Sequence, residues 1–502
     1  MKYGTIALFM PFIFRMNTFL KGKAETDNAD TLRKCAGQAF PRWTVLEDQT
    51  SYFLRYVIDS RKGSTVLLML ENKIHQEYPG LYENDTIICR DRQSGAKICL
   101  KRIDENRRPE KDSIANGTEA GAVYAEGTEN YEYSVLPENE KYQQHFRIAI
   151  LNKYIFLSAS GIGCVSFYIR AADAATQTPT DLADLCFALK RVDNSPFVKT
   201  AQEILKKSGM EEYCLFPFFV NSSDTMFATM DFFAYAECKG LPDDKLPGIL
   251  YHMKYGYRKN FNYSENCTSF ESEEYRPVEG ITWTASSEGI SCIAYDMKMQ
   301  DEKDNISLNK SFINQGSFLE KTFRKNLEQN YFPMFLSILQ QKYAIYKLLN
   351  EFSGRSLEEL TEAELRDWNS RLTNFKTQND YTILSETSQY QGVSRIMRNA
   401  MHLEALYENV QEKIDATTNI LERKSERRVN NALAGLSLIA IFSILTDSYS
   451  WISNNLPSLV GPDFATHIPA AIVTVIVIGL WAFISKDIFI SLFDDIKERR
   501  KR

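Results

Sequence analysis

Histidine, paired cysteine spacings and a strong excess of either charge are all scarce in this 502-residue chain. The five histidines lie far apart, with no second ligand near any of them, so no zinc-site spacing exists. Nine cysteines, an odd number, are scattered without a Cys-x-x-Cys pair, which predicts reduced thiols rather than a disulfide framework. A formal net charge of −6 argues against a general nucleic-acid binder, and no direct nucleic-acid partner is expected. No Ser–His–Asp set, paired carboxylates or metal-hydrolase constellation stands out, so no catalysis is expected and no metal ligands are assigned. Two local absences organise the C-terminal part. Glycine and proline are missing from 393–434, and lysine and arginine from 453–467.

What is present divides into three parts. Residues 1–315 read as a cytosolic α/β domain, because short β-type runs recur with turn residues between them. The clearest are Tyr52 to Asp59, Thr65 to Leu70, Thr86 to Arg90, Lys97 to Arg102, Phe146 to Leu157, Cys164 to Arg170, and Gly280 to Tyr295 with a Glu288-Gly289 turn. The N-terminal run has Pro11 and Arg15 inside it and no cleavage site after it, so Thr5 to Phe12 is read as a buried first strand rather than an export signal. Helices are expected over Asp181 to Val192 and Lys199 to Ser208, and a polar loop over Asp104 to Gly121. The stretch "SASGIGC" offers a Gly-x-Gly, but a strand follows it where a phosphate loop needs a helix, so a hairpin is expected.

Residues 316–430 read as a helical bundle and stalk. An amphipathic helix is expected over Phe318 to Phe352, bent at Pro333 and closed by Gly354. A second opens at the capping box Ser356-x-x-Glu359 and runs to about Lys376. The missing glycine and proline permit a stalk of about 60 Å from Val393 to Ala434. Along it Leu403, Tyr407, Val410, Ile414, Thr417, Leu421, Lys424 and Arg428 alternate steps of four and three. That seam either packs on another helix of the same subunit or lines a symmetric funnel with a basic neck.

Residues 431–502 read as a two-helix transmembrane hairpin. Ala432 to Ile452 gives about 31 Å of helix, the thickness of a hydrocarbon core. Ile468 to Ile484 is a second, shorter apolar run. Arg423, Lys424, Arg427 and Arg428 precede the first, and "KERRKR" follows the second, whereas the 453–467 connection has no cationic residue. By the positive-inside rule both termini are cytoplasmic and the loop lies outside. Asn430, Ser437, Ile444 and Asp447 fall within one face of the first helix. Asp447 either sits at headgroup level beside Trp451 or faces a water-filled lumen, and a lumen requires an oligomer.

In order of parts this chain resembles the CorA superfamily of magnesium channels, and "NNALAGLSLIAIFSIL" is similar to the start of that family's pore helix. The resemblance implies a homopentamer in the plasma (inner) membrane of a prokaryote. Asn430 and Leu436 match the places where the family's pore narrows, and Ser437 stands where a threonine is usual. The family's Tyr-Gly-Met-Asn is replaced by "SNNL", Ser453 to Leu456, so Asn454 and Asn455 would supply the outer ring of amides and magnesium selectivity is not implied. "KYIFLSASGIGCVSF" and "NYFPMFLSILQQKYAIYKLL" look like a divergent CorA-like group with enlarged cytosolic domains. Some CorA-like proteins accompany type III CRISPR systems as membrane effectors in antiviral defence, switched on by a nucleotide second messenger. The resemblance thus implies a divalent cation or a signalling nucleotide as ligand, with Arg170 and Arg191 as candidates for a basic nucleotide pocket. A non-conducting membrane anchor is the remaining class.

Overall fold

The computed structural model describes residues 1–14, 44–45, 67–72, 86–90, 97–102, 129–136, 144–158, 161–172, 178–192, 195–207, 213–215, 229–238, 241, 243–258, 260–263, 273–278, 280–295, 318–353, 360–379 and 387–455, with 475 and 479. The chain forms two compact units, 1–354 with 374–411, and 355–373 with 412–502. Tyr52 to Asp59, the Asp104 to Gly121 loop, Ser356 to Glu359, the run Ile468 to Ile484 apart from 475 and 479, and the basic tail lie outside the described residues.

Among the described residues the first unit is built on one mixed sheet of thirteen strands. In chain order these are β1 (Tyr3–Phe14), β2 (Thr44–Val45), β3 (Leu67–Asn72), β4 (Thr86–Arg90), β5 (Lys97–Arg102), β6 (Glu129–Leu136), β7 (Gln144–Ser158), β8 (Ile162–Ala171), β9 (Tyr213–Leu215), β10 (Asp231–Cys238), β11 (Glu274–Val278), β12 (Ile281–Ser286) and β13 (Gly289–Tyr295). The main path runs β11-β12-β13-β10-β1-β8-β7-β6-β5-β4, with β3 also on β7 and β9 on β1. Only the β10–β13 pair among those described is parallel. The expected first strand is therefore central. Pro11 is tolerated there because β1 pairs with β10 through Phe9 and with β9 from Phe12, so its missing N–H falls between the two pairings on that edge.

Alternation along β1 sends side chains to two covered faces. Ile6, Leu8, Met10 and Phe12 join a core with α1 (Pro179–Lys190), α2 (Pro196–Lys207) and α3 (Leu246–Tyr255). Helix α1 opens with a capping box in which Asp181 N donates to Thr178 Oγ1 at 3.3 Å and Thr178 N to Asp181 Oδ2 at 2.8 Å. On the other face Phe9 meets α4 (Phe332–Ser353), which is preceded by π-helical turns over Phe318–Phe323 and Leu327–Tyr331. Phe332 is the hub, with ring centroids 5.2 Å from Phe9 and Tyr154 and 5.9 Å from Phe156. Polar contacts fix the rest of this face. Arg324 grips Glu237 with two bonds of 2.6 Å, Gln340 donates to Ser158 at 2.8 Å, and Lys342 reaches Asp231 at 3.0 Å. The helix that the sequence grouped with the stalk thus belongs to the sheet unit.

The Gly-x-Gly stretch is a hairpin between β7 and β8. Gly161 has φ 74° and donates its N–H to Ser158 O at 3.0 Å, and no helix follows. Four described cysteines, Cys164, Cys186, Cys238 and Cys292, are buried free thiols.

Two helix boundaries differ from expectation. Helix α5 (Glu362–Asn379) opens at Thr361, whose N–H and hydroxyl donate to Glu364 Oε2 at 2.8 and 2.7 Å. The operative capping box is therefore Thr361-x-x-Glu364. The stalk is not one helix from Val393 either. It breaks at Met401–His402, between α6 (Ser388–Ala400) and α7 (Leu403–Asn455), with His402 at φ 54°. Met401 and Leu403 are both buried, and a continuous helix would aim residues two apart about 200° from one another. The break lets both enter the core.

Candidate pore helix and the charges at its base

Helix α7 runs unbroken for 53 residues, about 80 Å at 1.5 Å per residue. Among the described residues it is the one helix long and apolar enough to cross a membrane. Val429, Leu433, Leu436, Ile439, Phe442, Ile444 and Trp451 are each more than half exposed. So much exposed aliphatic and aromatic surface on one helix calls for lipid or other helices around it. Two hydroxyls in this stretch are satisfied within the helix, Ser437 by Leu433 O at 2.8 Å and Thr446 by Phe442 O at 2.7 Å.

The candidate residues fall on two stripes of this helix. Asn430, Ser437 and Ile444 recur every seven residues and drift only about 20° per step. Leu436 and Asp447, eleven apart, lie about 20° from each other and about 100° from Asn430 or more. Asn430, Leu436, Ser437, Ile444 and Asp447 are all exposed in the chain. The helix backbone continues through Asn454 and Asn455, into what the sequence assigned to the outer loop.

In the second unit the base of this helix is held by α5, running antiparallel to it. Asn369 Nδ2 donates to Thr418 Oγ1 at 3.3 Å, Lys424 Nζ to Leu360 O at 2.7 Å, and Arg428 pairs with Glu362. Thr417, Leu365 and Leu372 are buried between the helices. The four-and-three seam is thus packed against the same subunit, with Lys424 and Arg428 engaged by Leu360 O and Glu362. Relative to Asn430, Lys424 and Arg428 point about 120° and 160° away. The intrachain partner therefore covers the side of α7 opposite the Asn430–Ser437–Ile444 stripe.

Arg170 and Arg191 are not brought together. Arg170 lies on β8 opposite Thr5 and, two residues on from Tyr168, shares the face on which the Tyr168 ring meets Phe332 of α4. Arg191 caps α1, on the other face, and bridges to Thr229. The sheet separates them, so they do not share one basic pocket.

A feature not singled out from the sequence lies at the end of α3, in "YHMKYGYRKNFNY", residues 251 to 263. Tyr255 and Tyr257 stack at 5.0 Å and 19°, Tyr251 packs edge-on to both, and the Arg258 guanidinium sits 4.7 Å over Phe187. Lys190, 5.7 Å from the Tyr257 ring, is held by Glu288 at 2.5 Å and Tyr255 O at 2.6 Å. Aromatic and basic letters interleaved within thirteen residues were the available signal. Among the described residues no group of three or more His, Cys, Asp or Glu side chains is placed to hold a metal ion.

The class these parts define is an α/β sheet unit joined to a long apolar helix. The chain matches no protein-family model, no curated protein and no solved structure.

Proposed function

We propose that this protein is an oligomeric membrane channel on CorA-like lines, with α7 as the pore helix and ion flux controlled by the sheet unit. The observation that carries the reading is the exposed apolar surface of α7 combined with a polar stripe, Asn430 and Ser437, on the side away from α5. In this reading Asn430, Ser437 and Ile444 line the inner pore, Leu436 stands on the adjacent stripe toward the neighbouring copy, Asp447 on that stripe attracts cations further out, and Asn454 and Asn455 ring the outer mouth. A second helix in 468–484 completes the hairpin, and both termini are cytoplasmic. Magnesium is not the assigned ion, because the outer motif differs from the family's. The test is flux of magnesium, potassium and chloride through liposomes holding the purified protein. Replacing Asn430 or Asp447 by leucine changes conductance or ion preference in a channel and changes neither in a non-conducting anchor.

One observation favours a nucleotide as the gating ligand, as in an antiviral membrane effector. The Tyr255–Tyr257 stack offers an aromatic face on which a base can stack. Titration with labelled nucleotides tests it. Binding that Tyr257→Ala abolishes supports this gate, and the absence of binding by any nucleotide removes it.

A further inference from the structure

The basic cluster at the foot of the apolar helix is divided by the fold. Lys424 and Arg428 are engaged by Leu360 O and Glu362. Arg423 and Arg427, by contrast, are exposed and form no ion pair among the described residues. The same is true of Glu422 and Glu426. Helical geometry sorts these four. Measured around the axis from Asn430, Arg423 and Arg427 lie about 20° and 60° to one side, and Glu426 and Glu422 about 40° and 80° to the other.

Each edge is a like-charge pair spaced four residues apart, an arrangement that costs an isolated helix a few tenths of a kcal/mol. Arg423 and Glu426 are three apart, yet no ion pair joins them. The free side of α7 thus carries an acidic edge and a basic edge flanking the Asn430 stripe, while α5 covers the back.

We propose that this side is the assembly surface for a second copy of the chain, with Glu422 and Glu426 of one copy set against Arg423 and Arg427 of the next. The inference rests on the membrane-oligomer reading above. Copies inserted the same way across a bilayer have parallel helices, and in a parallel ring the left edge of each helix meets the right edge of its neighbour. Such a head-to-tail interface repeats and closes. Acid on one edge and base on the other satisfies every interface at once, whereas a face-to-face pair would set like against like. The arrangement also aims Asn430, Ser437 and Ile444 toward the ring axis. Charges at this position select register and partner and oppose wrong pairings.

The test uses the full-length chain extracted from membranes in mild detergent, with oligomer fraction read by light scattering across a dilution series and helix content by circular dichroism. Glu422→Arg with Glu426→Arg makes both edges basic, and Arg423→Glu with Arg427→Glu makes both acidic. Each is expected to raise the dissociated fraction about tenfold or more, because like charges are forced together. All four changes in one chain swap the edges and restore the wild-type fraction. A wild type that is membrane-bound but monomeric would overturn the proposal. So would edge reversals without effect, or a fourfold variant that fails to reassemble while keeping its helix content. Absence of the wild-type chain from the membrane fraction would instead overturn the reading on which the proposal stands.

Discussion

The carboxylate of Glu362 is shared between two guanidiniums, Arg366 one turn on in its own helix at 2.7 Å and Arg428 at the foot of the apolar stretch of α7. This contact and the Lys424–Leu360 bond fix which side of α7 is turned to its own chain. Glu362 is largely buried while Arg428 is well exposed, so the ion pair itself contributes little more than about 1 kcal/mol. A double-mutant cycle with Glu362→Gln and Arg428→Gln should give a coupling of about 0.5–1 kcal/mol, read from thermal unfolding in detergent. A coupling of zero would mean that this pair does not orient the helix.

The Ser437 hydroxyl is satisfied by the carbonyl one turn back. Ser437→Ala should therefore change stability by less than about 0.5 kcal/mol. If Ser437 lines the lumen, single-channel conductance should nevertheless shift, and unaltered conductance would move the pore axis to another stripe.

Phe332 stands where the sheet and α4 meet, 5.2 Å from two rings and 2% exposed. Phe332→Ala should cost about 3–5 kcal/mol through lost contacts and the cavity left behind. Limited proteolysis should then release 318–353 from the sheet earlier than in the wild type.

Gly161 has φ 74°, and a Cβ there would lie 2.9 Å from Phe14 O. Gly161→Ala should destabilise the sheet unit by about 1–3 kcal/mol, from left-handed backbone and the close approach together. The same change should leave nucleotide binding alone, because this turn is a hairpin and not a phosphate loop. Lost nucleotide affinity with an intact fold would reverse that assignment.

Burial lowers the pKa of His252 below the ordinary 6.5, against weaker opposition from backbone bonds and Asp184. A histidine depressed in the fold supports stability above its unfolded pKa, and that support is lost as pH falls through the folded value. The stability of wild type relative to His252→Gln should thus decline as pH drops from 7 toward 5, as followed by chemical denaturation. A flat difference would show that His252 is not desolvated.

Part of this architecture was legible because local signals and tertiary demand agree. β4 and β5 have the bounds expected from their sequences, and β1 was readable as a buried strand despite its signal-like letters. β10, "DFFAYAEC", was missed because a strand buried on both faces shows no alternation, and a short apolar run without period fits helix or strand equally. The start of α5 moved because Ser356 and Thr361 both carry a glutamate three residues on, and sequence alone cannot say which box closes. The break at His402 had no sequence signal at all. Absence of glycine and proline permits a helix, but burying both Met401 and Leu403 forbids a straight one. Of the candidate residues, the Asn430–Ser437–Ile444 stripe was readable from the heptad spacing. The division of the basic cluster was not, since it depends on where α5 docks.

The inward-turned hydroxyls of α7 change what its letters mean. Serine and threonine count as polar in any tally of the stretch from Val429 to Thr446, yet Ser437 and Thr446 donate their protons to their own backbone. Those two donors are already occupied, so the helix comes to its surroundings oilier than its spelling. The exposed Asn430 amide and the exposed Asp447 carboxylate, one near each end of this segment, show no such bond to the helix backbone and stand open to water.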